Sequence, residues 1–208
     1  STRFDENADA VDPENRLLWR RERRRLEAEA MRDAVLSISG RLDPAMGGQL
    51  LTAANRAYVT GTASKQSTYD QARRSVYLPV LRSAVYEVLQ AFDFPDPAVL
   101  NGDRPTTTVA PQALMLMNSE FVATELSALA KKLLARKDLH GTARVDALYL
   151  RVLGRPATIP ERERAARLVE ACTADYIAAK MDAIEAQTRA WRSLARALLA
   201  SNEFAYTE

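Results

Sequence analysis

Arginines, carboxylates and one indole crowd the stretch from Asp12 to Asp33, where Arg16, Trp19, Arg20, Arg24, Arg25, Glu27, Glu29 and Arg32 all fall. A guanidinium presents a flat fork of N–H donors that holds carboxylate, sulfate or phosphate bidentately. Arg24, Arg25 and Arg32, joined by Arg73 and Arg74 further along, therefore form a candidate cluster for an anionic ligand or an interface. Trp19 and Tyr77 supply rings able to stack on a sugar. The same residues have a plainer reading. Opposite charges three or four apart on a helix pair with one another, and Glu27, Glu29 and Asp33 stand close enough to consume the arginines. The structural reading is the simpler one.

Asp93 and Asp96 form a close carboxylate pair inside Phe92-Asp93-Phe94-Pro95-Asp96-Pro97. Each proline pushes its predecessor toward extended geometry, so this is a rigid aromatic turn and not helix. Two fixed carboxyls suit general acid and base work, but aspartates also cap turns by accepting backbone N–H groups. Spacing in sequence does not set the separation that sugar hydrolysis needs. Trp19, Tyr77, Tyr86, Phe92 and Phe94 are expected to form a seam between the first two helices and this turn. Met31, Met115 and Met117 read as core.

His140 is the sole histidine and Cys172 the sole cysteine. They make no disulfide, no CxxCH haem attachment and no zinc cluster, so no cofactor or metal is expected in this chain and electron transfer has no ligand set here. Cys172 is expected as a small buried residue on a helix.

The chain has 208 residues, enough for one large or two small domains, with 29 basic against 27 acidic residues. That near balance provides no global field for nucleic acid or an anionic membrane. No apolar run reaches the roughly 20 residues that cross a bilayer. A chain that opens on Ser1 is expected to be a piece of a longer one.

The positioning elements follow from caps and periodicity. Asp12 as cap and Pro13 in the first turn predict a helix from about Pro13 to Ser39, stopped by Gly40, with residues 1–12 a flexible lead-in. Residues 41–73 are turn chemistry, and the part from Gly47 to about Tyr69 is expected to be the most mobile. Val76–Leu78 looks extended, and a second helix runs from Leu81 to Ala91. A third block starts near Thr108, carries Pro111 in its first turn, breaks at Asn118-Ser119 and continues past Leu134 as the central pair. Thr142 caps a helix ended by Gly154, Thr158 and Glu161 make a capping box, and helix continues to about Ala200 with a joint near Gln187-Thr188. No sustained alternation argues for a sizeable sheet. The fold class is all-α: residues 13–208 form a single multi-helix domain with a long internal loop and a C-terminal helical subdomain, its candidate subdivision at 156–160.

Several pieces recur as a set: Asp12-Pro13 with Asn15, Trp19-Arg20, Arg24-Arg25-Leu26, Glu29, Arg32-Asp33, Ser39-Gly40, Gly47-Gly48, Arg74-Ser75-Val76-Tyr77 and Phe92-Asp93. Arg104, Thr107, Pro111-Gln112-Ala113-Leu114, Asn118, Leu153-Gly154-Arg155-Pro156, Glu161, Trp191 and Ser201-Asn202-Glu203-Phe204 continue it. As a set they resemble a C-terminal domain of unknown function abundant in planctomycetes. The resemblance implies a position downstream of a cytochrome-c-type domain in an exported, extracytoplasmic polypeptide. It supplies no catalytic residues to carry over, and residues 49–70 lie outside its pattern.

The expected function is a non-catalytic helical accessory or interaction module of a larger extracytoplasmic haem-containing protein. Its partners would be sister domains of the same polypeptide or another extracytoplasmic protein, with no nucleic acid and no direct membrane span. The alternative is a binding module or enzyme domain acting on an anionic polysaccharide. Arginines converging unpaired on a cleft would favour the ligand; arginines saturated by Glu29, Asp33, Asp93 and Asp96 would favour scaffolding.

Overall fold

The computed structural model describes residues 4–21, 23–48, 71–80, 85–100, 104, 107 and 110–207. Helix dominates them, as the caps and periodicities predict.

The long first helix expected from Pro13 is not formed. Residues Glu6–Val11 make a short helix α1 inside the lead-in, capped by Asp5, whose carboxylate accepts from the amides of Asn7 and Ala8. Asp12 ends this helix. Its carboxylate then accepts the amides of Arg16 at 3.0 Å and Leu17 at 2.7 Å. Asn15 accepts the amide of Arg20 at 3.1 Å and donates to its carbonyl at 2.8 Å. Asx side chains compete with the helix for backbone groups, and here they win: Asn15 and Leu18 both take φ 55. The chain next forms strand β1, Arg24–Arg25, and only then helix α2, Ala28–Ser39. Gly40 closes α2 at φ 69, donating its amide to the Leu36 and Ser37 carbonyls. A left-handed stop of this kind suits a residue without Cβ.

Beyond α2, Ser75–Tyr77 forms a 3-10 turn where extended chain was expected. Helix α3 covers Glu87–Ala91; the expected start at Leu81 lies outside the described residues, as do Thr108 and the 49–70 part of the segment expected to be mobile. Helices α4, Ala110–Asn118, and α5, Glu120–Ala135, break at Ser119 as the sequence indicates. Helix α6, Gly141–Leu153, starts one residue before Thr142, with His140 at the cap position, and ends on Gly154 at φ 73. Helix α7, Ile159–Ala178, opens on the Thr158–Glu161 capping box. Helix α8, Ala183–Leu199, begins after a break at Lys180, φ 63, and is capped by Asp182. The joint therefore sits about seven residues before the one expected at Gln187-Thr188, because the Thr188 hydroxyl bonds back to the Ile184 carbonyl inside the helix and caps nothing. Helix α9, Asn202–Ala205, and strand β2, Tyr206–Thr207, finish the described chain.

The core is built from α2, α5, α6 and α8. Met31 and Val35, Leu126 and Leu129, Val145 and Leu148, and Trp191, Leu194 and Leu199 are all buried. Ala186, Ala190 and Ala195 are fully buried on α8, and such small side chains let α5 and α7 approach its axis closely. Helix α4 buries only Gln112 and Leu116, so the central layer is α5 against α2 and α8 and not the α4–α5 pair. Met31 is core, whereas Met117 is 48% exposed. Cys172 is half-buried on α7. Strands β1 and β2 pair antiparallel, Arg24 with Thr207 and Arg25 with Tyr206, which ties the charged N-terminal stretch to the C-terminal end.

Candidate functional site

The β1–β2 pairing fixes the backbone of Arg25 so that its side chain runs under the aromatic turn. Arg25 Nη2 donates to Asp93 Oδ2 at 2.6 Å, and the Arg25 guanidinium lies 5.5 Å from the Phe92 ring centroid. Asp93 takes φ 59, a conformation that Asp tolerates better than most residues. Its carboxylate also accepts the Thr107 amide at 2.8 Å and the Thr107 hydroxyl at 2.8 Å. Burial opposes its ionisation, but the two Thr107 bonds and the Arg25 charge outweigh burial and hold the carboxyl below the ordinary range. The Arg25 and Asp93 side chains are only 5% and 15% exposed. Asp93 is thus a junction whose two oxygens already accept from Arg25 and Thr107.

Arg32 is buried within the core at 1% exposure. Its Nη1 donates to the Arg73 carbonyl at 2.9 Å and to Ser75 Oγ at 3.2 Å, while Nη2 reaches the Gln71 carbonyl. The rings of Tyr86 and Phe121 both lie 5.9 Å from its guanidinium carbon. Burial lowers the affinity of this guanidinium for its proton, and Tyr86 and Asp33 oppose that; arginine stays a cation regardless. Asp33 accepts the Ser75 amide at 2.8 Å and its hydroxyl at 2.6 Å. One helical Arg-Asp pair therefore clamps the 71–75 segment onto α2.

The remaining sequence candidates do not converge. Arg73 donates to the carbonyls of Ala45 and Gly47 and stacks 5.0 Å from Tyr77. Trp19 donates to the Asp12 carbonyl at 2.9 Å and meets Phe4 edge-on. Asp96 accepts the Ala98 amide in an exposed turn, and among the described residues no arginine pairs with it. Arg24 and Arg74 are exposed, with no side-chain partner among the described residues. Of the aromatic residues expected in one seam, Tyr86, Phe92 and Phe94 belong to one hydrophobic cluster, whereas Trp19 meets Phe4 and Tyr77 meets Arg73. Arg104 occupies Glu27 at 2.7 Å and both oxygens of Glu29 at 2.9 Å. Although burial works against it, the Arg104 bonds hold the Glu29 carboxyl below its usual pKa.

One feature was legible and went unread. Glu125 falls three residues after Val122 on the apolar stripe of α5, so a carboxylate must enter the interior there. It is buried, with Oε1 taking Arg41 at 2.7 Å and Oε2 lying 2.6 Å from the Ser39 hydroxyl. Glu125 and Arg32 border a polar cleft of about 710 Å³ lined also by Tyr86, Ser119 and Phe121. Nearby, Lys132 Nζ bonds the Ser39 and Gly40 carbonyls and Arg151 bonds those of Ile38 and Ser37. Two cations thereby satisfy the C-terminal carbonyls of α2, where the helix dipole is negative. Among the described residues, no group of three or more His, Cys, Asp or Glu side chains is placed to hold a metal ion, and no helix is long and apolar enough to cross a membrane.

A family model described as PSD1, protein of unknown function (DUF1553), matches residues 1–169. No curated protein and no solved structure matches the chain.

Proposed function

The chain belongs to the PSD1 family of proteins of unknown function (DUF1553), and we propose that it is a non-catalytic helical interaction module. On this reading its partners are sister domains of a larger extracytoplasmic haem-containing polypeptide, or another extracytoplasmic protein. The observation that carries the reading is the occupancy of the charged cluster. Arg25, Arg32, Arg73 and Arg104 each commit at least one guanidinium nitrogen within the fold, to Asp93, to the Gln71 and Arg73 carbonyls, to the 45–47 loop and to Glu27 and Glu29 respectively. The matched nitrogens can reach an incoming anion only by giving up those internal acceptors, although the buried Nε and Nη1 of Arg25 make no hydrogen bond among the described residues.

The polysaccharide reading rests on Arg24 and Arg74, which are exposed. The test is calorimetric titration of the chain with heparin and with alginate. The module reading expects no saturable heat. A stoichiometric isotherm that Arg24→Ala with Arg74→Ala abolishes, at an unchanged melting temperature, would put the ligand reading first.

A further inference from the structure

We infer that the loop of residues 12–21 is a docking knob that inserts Leu17 and Leu18 into apolar sockets of a folded partner protein, with partner carboxylates facing the loop's arginines. The inference rests on the interaction-module reading and names its surface. Leu17 and Leu18 are 77% and 80% exposed, and Val11 just before the loop is 80% exposed. Adjacent exposed aliphatics of this size mark an interaction site when they are held in place.

They are held in place. Asp12 and Asn15 are buried at 8% and 9% although both are polar. Their side chains take the amides of Arg16, Leu17 and Arg20, and the Trp19 indole donates to the Asp12 carbonyl. The Arg20 guanidinium covers Trp19 and Phe4 at 5.0 and 5.6 Å. This interior of Asp12, Asn15, Trp19 and Arg20 forms the base of the loop, and the leucines stand on its outside. Leu18 takes φ 55, where an L side chain meets its own backbone. The strain leaves the Leu18 side chain 80% exposed, and such strain persists where it positions a group for use.

Charge selects the partner's chemistry. Arg16, Arg21 and Arg24 are exposed, and among the described residues no carboxylate pairs with them. Directly before the knob, α1 carries Glu6 and Asp9 in its first turn and no basic residue in its last. A uniformly anionic bilayer or sulfated glycan would meet the acids of α1 with repulsion. A protein surface can match both signs at once and place apolar sockets between them.

The experiment places a photo-reactive diazirine analogue of leucine at position 18 of the full chain in its producing cells, with a control analogue at Ile177 on the outer side of α7, itself 50% exposed. Covalently captured species are identified by mass spectrometry, and any captured protein is purified and titrated against the chain. The expected result is one protein captured from position 18, whose affinity falls at least tenfold with Leu18→Asp and weakens as salt rises. Leu18→Gly removes both the side chain and the left-handed strain, so it should lose binding while melting at or above the parent temperature, which separates docking from folding. Capture of lipid, glycan or a second copy of the chain from position 18, or a captured protein indifferent to Leu18→Asp and Leu18→Gly, overturns the inference. Protein captured from position 177 alone overturns it while leaving the module reading standing; capture from neither position removes both.

Discussion

Arg25 and Asp93, 68 positions apart in the sequence, meet in an Nη2–Oδ2 contact of 2.6 Å that fastens β1 to the turn ahead of α4. The contact is charge-assisted and largely shielded from water, with Thr107 completing the acceptor side. Removing one member leaves the other charged in a poorly solvated place. Asp93→Ala is therefore expected to cost about 3 kcal/mol, read as a lower melting temperature and an earlier urea midpoint. Pairing it with Arg25→Ala in a double-mutant cycle should show the second loss to be much smaller than the first. Strict additivity would mean that the contact contributes nothing of its own.

The same carboxylate sets a pH dependence. Its folded pKa lies below the unfolded one, so its stabilising contribution is complete above the unfolded pKa and disappears as pH falls through the folded one. The melting-temperature gap between the parent and Asp93→Asn should hold near neutrality and close as pH falls below the ordinary aspartate range. A gap that widens on acidification would contradict the assignment of Asp93 as an ionised partner.

Arg32 offers a sharper comparison, because geometry and charge can be separated there. Its fork spans the Gln71 and Arg73 carbonyls and Ser75 Oγ, and a single ammonium cannot reach all three. Arg32→Lys keeps the cation in a 1%-exposed site yet should lose about 2 kcal/mol or more. The loss should appear first as faster amide exchange at Ser75, Tyr77 and Leu78, since those residues depend on the clamp. Uniform protection across that turn in the variant would show that the 3-10 segment is held by something else.

The helices were legible where a single local rule governs them. Gly40 and Gly154 stop their helices in the left-handed region, and Thr158 with Glu161 opens α7 as a capping box. The first helix misled because Asp12-Pro13 satisfies the cap rule while Asp12 and Asn15 also offer side-chain acceptors to amides four and five residues ahead. Nothing in local periodicity reports that competition. That arginines of the cluster could be saturated by Asp93 was one of the two readings open from chemistry, yet the part of Arg24–Arg25 in a strand was not foreseen, because its partner strand Tyr206–Thr207 lies at the far end of the sequence. Glu125 was overlooked for the opposite reason. A lone acid on an apolar stripe is a positional signal, and it becomes interpretable only when Ser39 and Arg41 are seen to meet it.

The α2 C-terminus gives a prediction about cations. Lys132 and Arg151 together ligate the carbonyls of Ser37, Ile38, Ser39 and Gly40. Lys132→Met with Arg151→Met should cost about 1 to 2 kcal/mol, of which the dipole part shrinks in high salt. Gly40→Ala should cost about 1 kcal/mol for the left-handed backbone, and its added Cβ would press on Lys132 Nζ at 2.9 Å, a flexible end able to move aside. Measured in the Lys132→Met background, the Gly40→Ala cost should fall only slightly, showing that backbone conformation and not crowding sets it.

The family match stops at residue 169, inside α7, whereas the core continues through α8. Trp191, Leu194, Leu198 and Leu199 are buried against α5 and α6, and β2 supplies the partner for β1. Burying a large apolar side chain stabilises by about 1.5 to 3 kcal/mol, so four of them contribute an amount comparable to the whole stability of an ordinary domain, about 5 to 15 kcal/mol. A chain cut after Val169 should therefore keep helical signal but lose cooperative melting and expose apolar surface to a hydrophobic dye. Trp191→Ala in the full chain, which opens one cavity and leaves the rest of α8 in place, should cost about 3 to 5 kcal/mol and still melt cooperatively. If residues 1–169 alone unfold in a single sharp transition, the domain ends where the family match ends and α8 is an appendage; if only the full chain does, α8 belongs to the folding unit and the match covers part of it.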